Sequence, residues 1–381
     1  MAFDLEVLVR PNIWKLAPYR CARDDYNGPG FIFLDANENS YGPSLGDYKD
    51  LQQLNRYPDP NQLEVKRRLC VLRGGDLTPE NLFVGVGSDE AIDNILRVFC
   101  RPGRDKILTT PPTYGMYGVC ASINDVDVVK IPLDPHNAFQ PRMEEIMTKL
   151  QQDKDIKCLF LCSPGNPTSK LIDPKHILQV LESGWHGILV VDEAYIDFSL
   201  DGSSVCTWVN RYPNLIVMQT LSKAFGLAAI RLGVAFCSPA VASLMNALKA
   251  PYNISTPTSD LALRALSDDG LQTMRKHVSQ LNASRTRLAK NLQDLPQVSQ
   301  LVGGTEANFI MAQIQSTKTG KVSNALALQV YEALAQTRKV VVRFRGNEVG
   351  CEGCLRITVG TEPENETLMT VLRQALDEFD V

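Results

Sequence analysis

The run Leu215-Ile216-Val217-Met218-Gln219-Thr220-Leu221-Ser222-Lys223-Ala224-Phe225-Gly226, continuing to Arg231-Leu232-Gly233, carries an apolar strand straight into a lysine. Consecutive apolar residues of strand length read as a strand buried on both faces. Lys223 therefore stands just past a buried strand end, where desolvation lowers an ammonium's pKa and favours the neutral amine. Such an amine is a candidate Schiff-base nucleophile. A lone lysine at a strand–turn junction is usually solvated. The residues at the other strand ends change that reading.

Working outward, strands and helices alternate from Asn81 onward. The expected strands are 81–84, 106–108, 126–132, 157–161, 187–191, 215–218 and 232–236. Helical apolar spacing recurs at Ile92, Ile95, Leu96 and Phe99, with Ser88 or Asp89 as the N-cap, and again at Met143, Ile146, Met147 and Leu150. The stretch PPTYGMY (111–117) is expected as a loop. This alternation implies an α/β fold: a large domain with a mostly parallel mixed sheet covered by helices on both faces. Residues 239–295 look helical. Beyond Pro296, strands at 307–314, 339–345 and 355–359 and helices at 322–335 and 362–379 imply a smaller α+β domain. A strand at Phe31-Ile32-Phe33-Leu34 is expected to complete it. The expected divisions are an N-terminal arm over 1–30, lying on a partner subunit; part of the small domain over 31–75, with a helix from Asn61; the large cofactor-binding domain over 76–280; and the small domain over 281–381.

Composition narrows the function classes. The 381 residues are 44% apolar and 22% charged, with net charge −4 and a pI near 5.7. There is no basic block, so nucleic acid is not an expected partner. Met1 to Arg10 reads as neither a signal nor a transit peptide, and no apolar stretch is long enough to span a membrane. Ten cysteines in apolar contexts read as reduced thiols of a cytoplasmic protein. Cys351-Glu-Gly-Cys354 lacks the second pair of ligands a zinc site needs, so no metal is expected.

Ligands of open α/β sheets bind beyond the carboxyl ends of the strands. Those ends carry Gly87-Ser88-Asp89, Tyr114, Asn166, Asp192 with Tyr195, and Ser222-Lys223 with Arg231. A helix N-terminus opening at Gly87-Ser88 suits a phosphate, and Ser222 and Arg231 can add a hydroxyl and a guanidinium to it. Asp192 can keep a pyridine nitrogen protonated. Asn166 and Tyr195 can hydrogen-bond a phenolic oxygen, and Tyr114 can stack on the ring. Together they suit a phosphorylated pyridine aldehyde held by Lys223.

The stretches DANENSYGP (35–43), LNRYPDP (54–60), VGSDEAID (86–93), PPTYGMY, SPGNPT (163–168), VVDEAYIDF (190–198), TLSKAFGLAAIRLG (220–233), APYNIST (250–256), VVVRFRG (340–346) and CLRITVGT (354–361) resemble those of fold-type-I aminotransferases dependent on pyridoxal 5'-phosphate. Within that family they are most similar to the histidinol-phosphate branch. Gly165 and Ala229 depart from the family's frequent Asn and Gly, at positions that carry no chemistry.

The resemblance implies a role for each matched residue. Lys223 would form the aldimine and shuttle the proton, Asp192 would pair with the pyridinium, and Asn166 and Tyr195 would hold the phenolic oxygen. Ser88, Ser222 and Arg231, with the backbone of Gly87 and Asp89, would bind the cofactor phosphate, and Tyr114 would stack on the ring. Tyr57 would reach across a homodimer interface to the other copy's cofactor phosphate. Arg356 would clamp the glutamate carboxylate or the substrate phosphate, assisted by Arg343. Arg345 competes with Arg343 and is assigned to the opposite strand face. Tyr19, Asn37 and Glu38 would line the pocket near the imidazole. The implied reaction interconverts histidinol phosphate and 2-oxoglutarate with imidazole-acetol phosphate and glutamate, in histidine biosynthesis. The alternatives are an aromatic amino-acid aminotransferase, a phosphothreonine-type decarboxylase and a cofactor-binding regulatory module without turnover.

Overall fold

The computed structural model describes residues 3–25, 34–45, 54–199 and 202–380. Strands β1 (Leu82–Val86), β2 (Lys106–Thr109), β3 (Asp127–Lys130), β4 (Ile156–Cys162), β5 (Ile188–Asp192), β6 (Leu215–Thr220) and β7 (Leu232–Phe236) form one sheet in the order β1-β7-β6-β5-β4-β2-β3. β7 runs antiparallel to both β1 and β6, and the other pairs are parallel. The strands are apolar throughout because both faces are covered. In β5, Leu189 and Val191 enter one core while Ile188 and Val190 enter the other. Period-two alternation here divides residues between two cores, rather than between core and water. Helices Met143–Gln152 and Pro174–Leu181 cover the first face. Helices Gly87–Phe99, Met116–Ile123 and Pro239–Leu248 cover the second.

Several local expectations differ from what folds. Helix Gly87–Phe99 begins before the expected Ser88 or Asp89 cap: Val86 is the N-cap and supplies no side-chain hydrogen bond. Gly87 turns the chain with φ +71°, a conformation glycine adopts without a steric penalty. The PPTYGMY loop runs into a helix at Met116. Phe31 to Phe33, expected as a strand, lie outside the described residues, and Leu34 is not in a strand. Leu8, Val9 and Ile13 of the arm are buried in this chain's own second core, so these apolar residues are covered without another subunit. Helix Leu63–Arg73 places Val65 and Leu69 in the first core, beneath the large sheet.

The smaller antiparallel sheet contains β8 (Val298–Val302), β9 (Phe309–Ser316), β10 (Lys321–Val322), β11 (Arg343–Phe344) and β12 (Cys354–Thr358), ordered β10-β9-β12-β11 with β8 also on β9. β8 was not expected. Its middle residues Ser299 and Gln300 are exposed, which removes the apolar signal. The expected strand at 339–345 shortens to two residues. Helix Asp268–Gln293, capped by Ser267, reaches both parts of the molecule, with Met274 against Tyr195 and Phe309 and with Leu288 and Leu292 in the small-domain core. The backbone of the small domain also meets the loop after β4. Gly304 N donates to Thr168 O at 2.8 Å and Glu306 N to Ser169 O at 3.0 Å. These bonds hold β12, which carries Arg356, over the carboxyl ends of the large sheet.

Candidate active site

The parallel strands deliver their following residues into one cavity of about 640 Å³. It is lined by Ser88, Asp89, Tyr114, Asn166, Asp192, Tyr195, Ser222, Lys223 and Arg231, with Arg343, Arg345 and Arg356 from the small domain. Asp192 ends β5 and Lys223 follows its neighbour β6, so adjacent parallel strands bring the carboxylate and the amine to the same end of the sheet.

One end of the cavity is built for an anion. Helix Gly87–Phe99 points its uncapped N-terminus there, with the partial positive charge of its free N–H groups. Gly87 N donates to Arg231 O at 2.9 Å, tying the two turns together. Arg231 Nη2 lies 3.5 Å from Asp89 Oδ2, and both side chains are partly solvated. A Cβ on Gly87 would stand 2.6 Å from Arg231 Nη2, so the guanidinium occupies space that only glycine leaves open. Thr220 Oγ1 accepts from Ser222 N at 3.1 Å and pairs with Ser222 Oγ at 2.9 Å, orienting that hydroxyl.

At the other end, Asp192 is fully enclosed. Ala194 N donates to its Oδ1 at 3.1 Å and Tyr117 OH to its Oδ2 at 2.7 Å. Burial pushes its carboxyl up to about 6; the Tyr117 and Ala194 hydrogen bonds and the Lys223 charge oppose that rise. Tyr114 OH donates to Asp89 Oδ1 at 3.0 Å, and burial raises its phenol. Tyr195 packs edge-on against Phe309 with ring centroids 5.2 Å apart. Lys223 Nζ lies 5.5 Å from the Tyr195 ring centroid. Lys223 is accessible through the cavity mouth, yet the surrounding protein desolvates its amine. That burial lowers its pKa first, and the Arg356 charge adds to the effect.

Arg356 spans the two domains: Nη1 donates to Asn166 Oδ1, and the guanidinium carbon sits 5.2 Å from the Phe309 ring centroid. Arg343 pairs with Arg356 across β11 and β12. Arg345 was assigned to the opposite face from Arg343, but both reach the cavity. Positions two apart share a strand face, so that assignment had the parity inverted.

Four expected residues are not brought to this cavity within the chain. Asn37, Glu38 and Tyr57 line a separate one of about 450 Å³ with Arg56 and Tyr252. Tyr57 stacks on Tyr252 at 4.5 Å, and Tyr19 meets Tyr252 edge-on at 5.6 Å. Glu38 is engaged by Arg23, by Arg56 at 2.7 Å and by Tyr57 N at 2.7 Å. The sequence reading missed Tyr117 and Thr220. Tyr117 lies in the stretch expected as a loop, whereas it sits fully buried in the first turn of helix Met116–Ile123.

The donor set fits a phosphorylated pyridine aldehyde. The capless helix end with Ser222 and Arg231 suits its dianion, the enclosed Asp192 carboxyl suits its ring nitrogen, and Lys223 suits its carbonyl. A Cβ on Gly87 would fill the cradle beside Arg231, and its absence keeps the anion end open for the cofactor's phosphate.

Comparison with known proteins agrees. The chain matches the family described as Aminotransferase class I and II over residues 31–372. It is 50% identical over 385 residues to the histidinol-phosphate aminotransferase of Schizosaccharomyces pombe, covering 99% of each chain. It is 47% identical over 389 residues to that of Saccharomyces cerevisiae, covering 99% of this chain and 98% of the other. The structure of the histidinol-phosphate aminotransferase from Sinorhizobium meliloti in complex with pyridoxal-5'-phosphate superposes with a TM-score of 0.76 over 90% of each chain, at 21% identity. That likeness shows a common fold.

Proposed function

The chain belongs to the aminotransferase class I and II family, and we propose that it interconverts histidinol phosphate and 2-oxoglutarate with imidazole-acetol phosphate and glutamate, in histidine biosynthesis. The observation that carries this reading is one cavity holding Lys223, Asp192 and Arg231 beneath Arg343 and Arg356. Pyridoxal 5'-phosphate, when bound, supplies a carbonyl that accepts an amine and a ring that takes up electrons from the substrate's α-carbon.

The chain's own residues do the rest. Ser88, Ser222, Arg231 and the helix N-terminus would hold the cofactor phosphate. Asp192 would face the ring nitrogen, Asn166 and Tyr195 the ring hydroxyl, and Tyr114 the ring face. A fixed carboxylate against the ring nitrogen keeps a proton there and favours electron withdrawal. Lys223 Nζ, its pKa lowered by burial, would act as the base that takes the proton from the substrate's α-carbon and delivers it to the cofactor's carbonyl carbon. Arg356 would orient substrate by its carboxylate or phosphate, a bidentate fork suiting both anions.

Tyr57 is 53% exposed and lies outside its own chain's cavity. We place it, with Asn37, Glu38 and Tyr19, at the site of a second copy in a homodimer. All ten cysteines are free thiols, which supports a reducing cytoplasmic compartment. The reaction is tested by single-turnover rates of the loaded protein with histidinol phosphate and with phenylalanine. Faster transfer from histidinol phosphate supports the proposal. A clear preference for phenylalanine, or release of carbon dioxide, defeats it.

A further inference from the structure

We infer that Arg345, held by Glu348, is a specificity-determining residue that makes the anion subsite prefer a phosphate monoester to a carboxylate. This rests on the proposed use of histidinol phosphate and adds a residue and a selection rule to it. Arg345 lines the same cavity as Arg343 and Arg356. Unlike the exposed Arg343, it is half-buried and fixed. Its N donates to Cys354 O at 2.8 Å, in the strand that carries Arg356, and Glu348 N donates to Arg345 O at 3.0 Å. Its Nη1 donates to Glu348 Oε1 at 2.7 Å, with each side chain about a quarter exposed.

Electrostatics support the assignment. The Arg345 charge disfavours the Arg356 guanidinium more than Arg343 does, so Arg345 is an electrostatic member of the pair. Three guanidiniums with one carboxylate leave two net positive charges around the subsite. A phosphate monoester carries roughly 1.5 to 2 negative charges at neutral pH, which that balance matches. A carboxylate carries one and leaves the surplus repulsion unrelieved. Selection by charge count needs no shape difference between the substrates.

The test measures kcat and KM for histidinol phosphate and for glutamate, and inhibition by inorganic phosphate, in the loaded wild-type protein and in Arg345→Gln and Arg345→Lys. Arg345→Gln is expected to raise the histidinol phosphate KM and the phosphate inhibition constant about tenfold or more, the loss of one charged hydrogen-bonding group. The glutamate KM should move less than about threefold. Arg345→Lys keeps the charge without the fork and should recover part of the loss, and it carries the test if the glutamine variant fails to fold. Equal changes in both KM values, or none, overturn the inference. A wild-type protein that does not turn over histidinol phosphate overturns the functional proposal itself, a distinct outcome.

Discussion

Tyr117→Phe isolates how Asp192 is kept charged. The substitution removes one oxygen and leaves the ring, which stacks on Phe160 at 4.9 Å and meets Tyr114 edge-on at 5.7 Å. What is lost is the 2.7 Å bond from Tyr117 OH to Asp192 Oδ2. That bond stabilises the carboxylate and opposes burial, which sets the carboxyl at about 6. A hydrogen bond to a charged group contributes about 1.5–3 kcal/mol, and about 1.4 kcal/mol corresponds to one pKa unit. Its loss should therefore raise the Asp192 titration midpoint by about one to two units. The variant's carboxyl should therefore keep its proton to higher pH than the wild type's. The assay is a carbon-13 NMR titration of aspartate-labelled, cofactor-free protein, with the Asp192 signal identified by its absence in Asp192→Asn. A titration midpoint that stays within about half a unit of the wild-type value would refute the reasoning. It would show that Ala194 N and Lys223 suffice to hold the charge.

Gly87→Ala should force a left-handed residue to carry a Cβ 2.6 Å from Arg231 Nη2, displacing the guanidinium from the anion end. Cofactor affinity should fall about tenfold or more, measured by equilibrium dialysis, and unchanged affinity would count against a phosphate there. Glu193 accepts from Ser204 Oγ, Val205 N and Gln219 Nε2, yet burial still raises it to about 7. The folded state thus holds a proton that the unfolded chain has released. Stability of the cofactor-free protein should fall by up to about 1.4 kcal/mol per pH unit as pH rises from about 4.5 to about 7. Urea denaturation of Glu193→Gln across that range should show a shallower decline, and an identical slope would contradict the assignment.

Much of the site was legible because its residues sit at strand ends. The apolar runs before Asp192 and Lys223 mark β5 and β6, and the rule that ligands bind beyond such ends converts sequence positions into neighbours. Tyr117 was not legible because its partner is 75 residues away and its own segment looks like a loop from composition. Arg345 was legible in principle, because a residue two positions from Arg343 shares its strand face. The location of Asn37, Glu38 and Tyr57 could not be read from strand order, since they lie outside both sheets. In the fold, β8 escaped notice because an edge strand with exposed polar centres lacks the pattern that reveals buried strands.

The attachment point of the cofactor decides whether Lys223 is its anchor. The loaded protein would be reduced with borohydride, digested and mapped by mass spectrometry. The cofactor mass should appear on the peptide containing Lys223 and on no other. Label confined to a different lysine, or none despite full cofactor content, would rule Lys223 out as the anchor.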